Sequence, residues 1–318
     1  MKKKLLVAAA VLLALVGAGV ARVWEPDRPV SALLRWAPPP SQFVEVDGLK
    51  VHLRDQGLRD DAEPIVLIHG TSASLHTWEG WVERLAPRHR VISLDLPAFG
   101  LTGPFPDDDN SVAHHVRFFD ALFQKLGVTR AIVVGNSWGG RLAWELAVQR
   151  PALVSRLVLV DAAGYPLESQ SVPLGFRIAK TPGLRGVMEY VLPRGVVEAS
   201  VRNVYGDPSK VTDALVDRYF ELTLREGNRR ALGLRFAQVP MVGEVERLKA
   251  LRMPTLILWG GLDRLIPPSH AERFHDDIPG SELVMFEQLG HVPHEEDPAA
   301  TVAAFEAWLV KPPAQPAP

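Results

Sequence analysis

Short apolar runs at Ile65–Ile68, Val91–Leu94, Ala131–Val134 and Leu157–Val160 alternate with amphipathic stretches such as Val112–Leu126 and Trp138–Gln149. Each run is continuously apolar rather than alternating. Strands covered by helices on both faces must read that way, so the pattern predicts a parallel sheet in an α/β domain. Ahead of it, Phe43–Val46 and Lys50–Arg54 flank the turn dipeptide Asp47–Gly48, which predicts a β-hairpin. The strand–helix rhythm then stops between Gly164 and Met253. That interval has no strong strand run; Val196–Val204, Val211–Glu226 and Asn228–Val239 read as helices, with breaks at Pro182, Pro193, Pro208 and Pro240. The rhythm resumes with a strand at Thr255–Trp259, a helix from Ser269 and a strand at Glu282–Phe286. A last helix covers Asp297–Val310, with Asp297 as its N-cap and Pro298 at its first position. The expected organisation is a core in two parts, 43–163 and 254–310, a helical cap inserted over 164–253, and a disordered tail over 311–318.

The N-terminus adds a different signal. Lys2, Lys3 and Lys4 precede an uncharged run from Leu5 to Ala21, which Arg22 ends. As a helix this run reaches about 26 Å at 1.5 Å per residue, the lower edge for spanning a ~30 Å hydrocarbon core and the upper edge for a signal-peptide apolar region. Residues 1–22 are therefore expected to be a signal sequence or a signal-anchor helix, the uncleaved anchor being the preferred reading. The basic flank keeps the N-terminus cytoplasmic, which places the folded part outside the cytoplasm, in the periplasm or beyond the cell. The alternative is a protein secreted after cleavage. Residues 23–42, rich in Pro and Arg, read as a linker.

Composition narrows the function classes. With 47% apolar and 23% charged residues the 318-residue chain can bury a sizeable core, which excludes a disordered protein. Thirty-five Lys and Arg oppose 37 Asp and Glu without clustering, so nothing marks a nucleic-acid surface. Cysteine is absent, which removes thiol nucleophiles, disulfides, iron–sulfur clusters and cysteine zinc sites.

The chemistry concentrates at strand ends. Gly135-Asn136-Ser137-Trp138-Gly139 is a G-x-S-x-G that follows one apolar run and opens a helix. This context suits a nucleophilic serine on a sharp strand-to-helix turn. A serine hydroxyl needs a base, and the base an orienting carboxylate. Asp263, just past Thr255–Trp259, and His291, just past the strand ending at Phe286, supply both, because parallel strands bring their C-terminal ends to one edge. Asp161, after Leu157–Val160, is a rival acid, and Asp95 is expected to anchor its own loop. His294 reads as a loop histidine, and no third ligand stands at metal spacing, so no metal or other cofactor is expected. The oxyanion donors are expected to be the amides of Trp138 and Thr71, the latter in the loop after Ile65–Ile68.

His69–Gly70 with Trp78, the Asp95-Leu96-Pro97 loop with Gly100, GNSWGG over Gly135–Gly140, GGLDRLIP over Gly260–Pro267 and GHVPHEEDP over Gly290–Pro298 together resemble the α/β-hydrolase fold superfamily. The resemblance runs from about Phe43 to Val310. It implies an eight-stranded, mostly parallel sheet with helices on both faces, a Ser137–Asp263–His291 triad, an oxyanion hole from Thr71 and Trp138, and a helical cap after the sixth strand. Ala98 departs from the glycine usual after Asp-x-Pro. A serine at 137 argues against the branches that use aspartate there. Carbon–carbon bond hydrolases share a similar G-N-S-x-G-G but usually carry a Gly-rich stretch after His-Gly and a Trp after the catalytic His; Thr71-Ser72-Ala73 and Val292 stand here instead.

The expected function is hydrolysis of a small carboxylic ester through an acyl-enzyme. The alternatives are a carbon–carbon bond hydrolase with the same triad and a catalytically silent binding protein of this fold. Both flanks of the insertion end at the catalytic edge, so the cap is expected to act as a lid. Met188, Tyr190, Tyr219 and Phe220 are candidate acyl-binding residues, with Trp78 from the core. The other candidates for setting specificity are the loops Thr71–Trp81 and Leu96–Asn110.

Overall fold

The computed structural model describes residues 21–240 and 242–311, together with Gly17 and Gly19. The basic flank Lys2–Lys4, most of the Leu5–Ala21 run and the tail from residue 312 onward, expected above to be an anchor or signal and a disordered end, lie outside the described residues. Among the described residues no helix is long and apolar enough to cross a membrane.

Eight strands form one sheet: β1 (Gln42–Val46), β2 (Leu49–Gly57), β3 (Ile65–Ile68), β4 (Arg90–Leu94), β5 (Ala131–Asn136), β6 (Val154–Val160), β7 (Thr255–Gly260) and β8 (Glu282–Phe286). Their order is β1-β2-β4-β3-β5-β6-β7-β8. The expected hairpin is β1–β2, which joins β4 antiparallel, and every later pairing is parallel. Helices α1 (Glu79–Leu85), α2 (Val112–Leu126) and α3 (Trp138–Gln149) belong to the first part of the core. Successive residues of β3 show why its strand is apolar throughout. Ile65 and Leu67 pack with Trp78, Trp81 and Phe305 on one face, while Val66 and Ile68 pack with Phe119, Leu122 and Trp144 on the other. Helix α2 begins where the Ser111 side chain accepts the His114 amide and ends at Gly127, whose φ of 66° reverses the chain.

Between β6 and β7 lie α4 (Leu174–Lys180), α5 (Arg185–Met188), α6 (Arg194–Val204), α7 (Asp213–Thr223) and α8 (Asn228–Gln238). The last three correspond to the expected cap helices. The first two are additional; they are short, and Pro182 and Gly183 interrupt the segment between them, which hides the helical period. Leu192, Val197, Val201, Tyr205, Val216 and Phe220 form a small core within the cap, closed from below by Val292. Helices α9 (Ser269–Asp277), α10 (Pro293–Glu296) and α11 (Pro298–Leu309) complete the fold. The Asp297 side chain caps α11 by accepting the Ala300 amide.

One expectation is corrected here. Residues 23–37 are a strap packed on the cap, not a loose linker. The Leu192 amide donates to the Val23 carbonyl at 3.2 Å, the Glu25 amide to Tyr190 at 2.9 Å and the Arg28 amide to Leu224 at 2.7 Å. Asp27 accepts from Arg229, Trp36 donates its indole N–H to Glu221, and Leu33 is buried against Leu101 and Leu222. The prolines that suggest a flexible connection remove amide donors, and the intervening amides and side chains find partners in the cap instead.

Candidate active site

Ser137 sits between β5 and α3 with φ 54° and ψ −115°. A non-glycine residue holds such a backbone only when its surroundings dictate it, at a cost of about 1–3 kcal/mol. Here the surroundings are glycines. A Cβ at Gly139 would lie 2.3 Å from the Ile68 carbonyl oxygen, and one at Gly135 would lie 2.3 Å from that of Gly139. The turn closes only because those atoms are missing, and it lifts the serine side chain off the sheet edge.

His291 and Ser137 line one cavity under the cap. The His291 ring, through Nδ1, pairs with Asp263 Oδ2 at 2.7 Å, and both groups are buried. The other Asp263 oxygen accepts the amides of Leu265 and Ile266, at 2.8 and 3.0 Å, which fixes the carboxylate on its loop. With Nδ1 engaged by a carboxylate, Nε2 is the nitrogen left to serve as a base. Ser137, Asp263 and His291 are thus brought together by the ends of β5, β7 and β8.

Asp161, the rival acid, has a φ of 45° and is fully buried. Its Oδ1 accepts the Gly260 amide at 3.0 Å. Burial, and after it the charge of Asp263, hold the Asp161 carboxyl well above the usual carboxylate range. Of the two carboxyls near this imidazole, the one hydrogen-bonded to the histidine is Asp263, while the environment of Asp161 favours its neutral form.

Thr71 lines the cavity with Ser137. The loop reaches the serine because residue 70 is a glycine: a Cβ there would stand 2.8 Å from Asn136 Oδ1 and 3.0 Å from Ser137 Cβ. His69 holds this loop. Its Nε2 accepts the Leu96 amide at 2.9 Å, which leaves Nδ1 to donate to the Gly70 carbonyl at 2.7 Å, and burial lowers its pKa so that the ring stays neutral. Trp138 is the first residue of α3, and its amide is among those a helix start leaves without an intrahelical acceptor. Its indole is covered by Arg235 of α8, whose guanidinium carbon lies 4.2 Å from the ring centroid. Asp95 anchors its loop as expected, accepting the amides of Leu75 and Leu101 and pairing with His52 Nδ1.

The candidate pocket residues divide. Met188 and Tyr219 line the cavity, the latter held by a 2.8 Å hydrogen bond from its hydroxyl to Glu295. Tyr190, Phe220 and Trp78 are corrections, because none of them lines it. Tyr190 points outward and stacks on Trp24, Phe220 belongs to the cap's own core, and Trp78 is packed under the sheet against Trp81 and His294. His294 also differs from the expected loop histidine. It is fully buried in α10, its Nε2 meets Thr77 Oγ1 at 3.0 Å, and burial, with His291 beside it, drives its pKa well below the ordinary value.

Asn136, Glu296 and the His291 amide make positioning contacts to which the motifs assign no role. Asn136 Nδ2 donates to the carbonyls of Val160 and His291, tying the serine strand to the histidine loop. The buried carboxylate of Glu296 accepts the amides of Gly206, Asp207 and Gly290, and the His291 amide donates to Val204 at the end of α6. The histidine loop is therefore bonded to the cap as well as to the core. Asn136 could be singled out as the variable position inside G-x-S-x-G; Glu296 offers no signal until the cap is in place.

A family model described as the alpha/beta hydrolase family matches residues 65–305. This chain is an α/β-hydrolase. It is 31% identical over 288 residues to an uncharacterized protein of Mycobacterium tuberculosis, covering 86% of this chain and 82% of the relative. It is 29% identical over 266 residues to a 2-hydroxy-6-oxo-2,4-heptadienoate hydrolase of Pseudomonas putida, covering 79% of this chain and 89% of that protein. Among solved structures, a membrane phospholipase A described as a bacterial virulence factor superposes with a TM-score of 0.74 at 26% identity, and the match covers 97% of this α/β-hydrolase and 98% of the other chain.

Proposed function

We propose that this α/β-hydrolase cleaves a carboxylic ester with an apolar acyl chain through an acyl-enzyme on Ser137. The observation that carries the reading is the cavity lining. Phe176, Met188, Leu192, Val197, Val201 and Leu232 dominate it, and none of the described residues around it is a Lys, Arg, Asp or Glu. Such a wall rewards a neutral hydrocarbon chain, at about 25 cal/mol per Å² removed from water, and penalises a buried charge.

In the proposed reaction His291 Nε2 takes the proton of Ser137 Oγ as the oxygen bonds to the ester carbonyl carbon. The resulting oxyanion is held by the amides of Thr71 and Trp138, and Asp263 stabilises the imidazolium. Collapse breaks the carbon–alkoxy bond, and the alcohol leaves with the proton from His291. Water then repeats the sequence, releasing the carboxylic acid and restoring the serine.

A carbon–carbon bond hydrolase is the second reading, favoured by the similarity to the Pseudomonas putida heptadienoate hydrolase. That protein's named substrate is a carboxylate, for which the apolar lining here offers no cationic partner. The match along nearly the whole chain to a membrane phospholipase A supports an acyl ester instead. The run Leu5–Ala21 behind Lys2–Lys4 supports placing the enzyme on a membrane with its catalytic domain outside the cytoplasm.

A panel of chromogenic esters of graded acyl length, assayed beside a dienoate carbon–carbon substrate, tests this. The expected outcome is ester turnover that a fluorophosphonate abolishes and that Ser137→Ala lacks. Turnover of the dienoate alone would transfer the assignment to the second reading, and absence of both activities together with no labelling of Ser137 would leave a binding protein.

A further inference from the structure

We infer that the outer face of the α4–α5 corner, with Trp24 beside it, rests on a lipid bilayer, so that the substrate is a membrane-partitioned acyl ester. This rests on the reading of the chain as an ester hydrolase held at a membrane.

The strap fixes where the apolar run leaves the folded part. That run ends at Ala21, and three residues later the Trp24 ring stacks on Tyr190 with centroids 5.3 Å apart and planes at 20°. Backbone bonds between Val23 and Leu192 and between Glu25 and Tyr190 clamp the same spot. A segment inserted in a bilayer up to residue 21 therefore brings this part of the cap against the lipid headgroups.

The surface at that spot suits the position. Leu184, Val187 and Tyr190 are 44%, 52% and 52% exposed, and Trp24 is 50% exposed. Isolated apolar side chains on a surface need no explanation, but three within seven residues beside a Trp is a concentration. Trp and Tyr favour the headgroup region, where an apolar ring meets a wet edge. Arg22, just ahead of the strap, and Arg177 and Lys180 in the last turn of α4 are exposed cations suited to lipid phosphates.

The opposite side of the same two helices is the cavity wall. Phe176 of α4 and Met188 of α5 line it above Ser137, whereas Val187, next to Met188, faces out. One layer of helix thus separates the lipid surface from the acyl site. A long-chain ester entering from that side has only this layer to cross.

The absence of cysteine makes the test direct. Val187→Cys and Val310→Cys each give the full-length chain a unique thiol for an environment-sensitive fluorophore. Position 310 is 83% exposed and follows α11, away from the cap. In phosphatidylcholine vesicles containing doxyl-labelled lipid, the probe at 187 loses most of its fluorescence and the probe at 310 keeps it. Equal quenching at both positions, or none at 187, overturns the docking. Leu184→Glu with Val187→Glu is expected to lower hydrolysis of a vesicle-borne long-chain ester about tenfold or more by removing apolar insertion, while hydrolysis of a soluble short-chain ester is unchanged. Unchanged vesicle-borne turnover contradicts the docking, whereas loss of the short-chain activity in the unmodified chain contradicts the ester reading itself.

Discussion

Asp161 and Asp263 bring one carboxylate oxygen each to within 4.8 Å of the other and of a His291 ring nitrogen, yet only Asp263 is hydrogen-bonded to that histidine. The difference comes from their loops. Asp263 is met by two amides of its own loop as well as by the imidazole, while Asp161 is met by the Gly260 amide and faces Asp263. Burial therefore favours the neutral form of Asp161, and Asp263 is the carboxyl placed to face the imidazolium.

The two acids should therefore respond differently to amide substitution. Asp263→Asn is expected to lower kcat by about 10⁴-fold, the loss that follows when a triad histidine loses its orienting charge. Asp161→Asn keeps an oxygen for the Gly260 amide and is expected to retain activity within about threefold, well under the ~1.4 kcal/mol that a tenfold change represents. Steady-state kinetics of both variants on one ester settle the assignment, and the reverse ranking would make Asp161 the triad acid.

Cavity residues should set acyl length, and cap residues outside the cavity should not. Met188→Trp and Leu232→Trp fill the acyl site, so the preferred chain should shorten, each excluded methylene costing about 0.8 kcal/mol, or roughly fourfold in kcat/KM. Phe220→Leu changes the cap core and should leave the chain-length profile in place. A profile that moved with Phe220 but not with Met188 would contradict this division.

Acid should destabilise the fold from below neutrality. Burial lowers the pKa of His69, His76, His115 and His294, to about 4 for His76 and His115. Below its ordinary pKa near 6.5 each imidazole takes a proton in the unfolded chain but not in the folded one. Their stabilising contribution is therefore complete above about pH 6.5 and is lost as pH falls toward 4, at up to ~1.4 kcal/mol per pH unit for each histidine. Asp161 acts with the opposite sign, since its raised pKa favours the folded state at low pH, but it is a single group against several histidines. Tm measured from pH 7 to 4.5 should decline steadily; a flat profile would show that these rings are protonated in the folded chain.

The serine turn should tolerate no side chain at Gly139. A methyl group there meets the Ile68 and His69 carbonyl oxygens at 2.3 and 2.5 Å, both backbone atoms that cannot swing aside. Gly139→Ala is expected to cost about 1–3 kcal/mol of stability and to reduce fluorophosphonate labelling. Chemical denaturation and labelling of the same preparation check both effects.

Much of the catalytic edge is legible from residues 65–163 and 254–310. Continuous apolar runs predict β3, β5, β6 and β7, and the acid and base fall at strand ends, where a parallel sheet collects them. The pocket is harder to read. Met188 and Tyr190 lie two residues apart near one short helix, yet one faces the cavity and the other Trp24, because a helix rotates by about 200° over two residues. In sequence the strap looks like a linker, because its prolines look the same whether or not their neighbours find partners. Those partners, Glu221, Leu224 and Arg229, lie roughly two hundred residues away in sequence and become visible only when the cap is assembled.

The central claim is that Ser137 carries the acyl group of a carboxylic ester. Rapid mixing of the full-length protein with a medium-chain p-nitrophenyl ester, quenched in acid and read by intact-mass and peptide mass spectrometry, tests it most directly. The account predicts a burst of nitrophenol and an added acyl mass on the peptide containing Ser137, absent in Ser137→Ala. Nitrophenol release without any adduct on that peptide, or an adduct that survives Ser137→Ala, would contradict it.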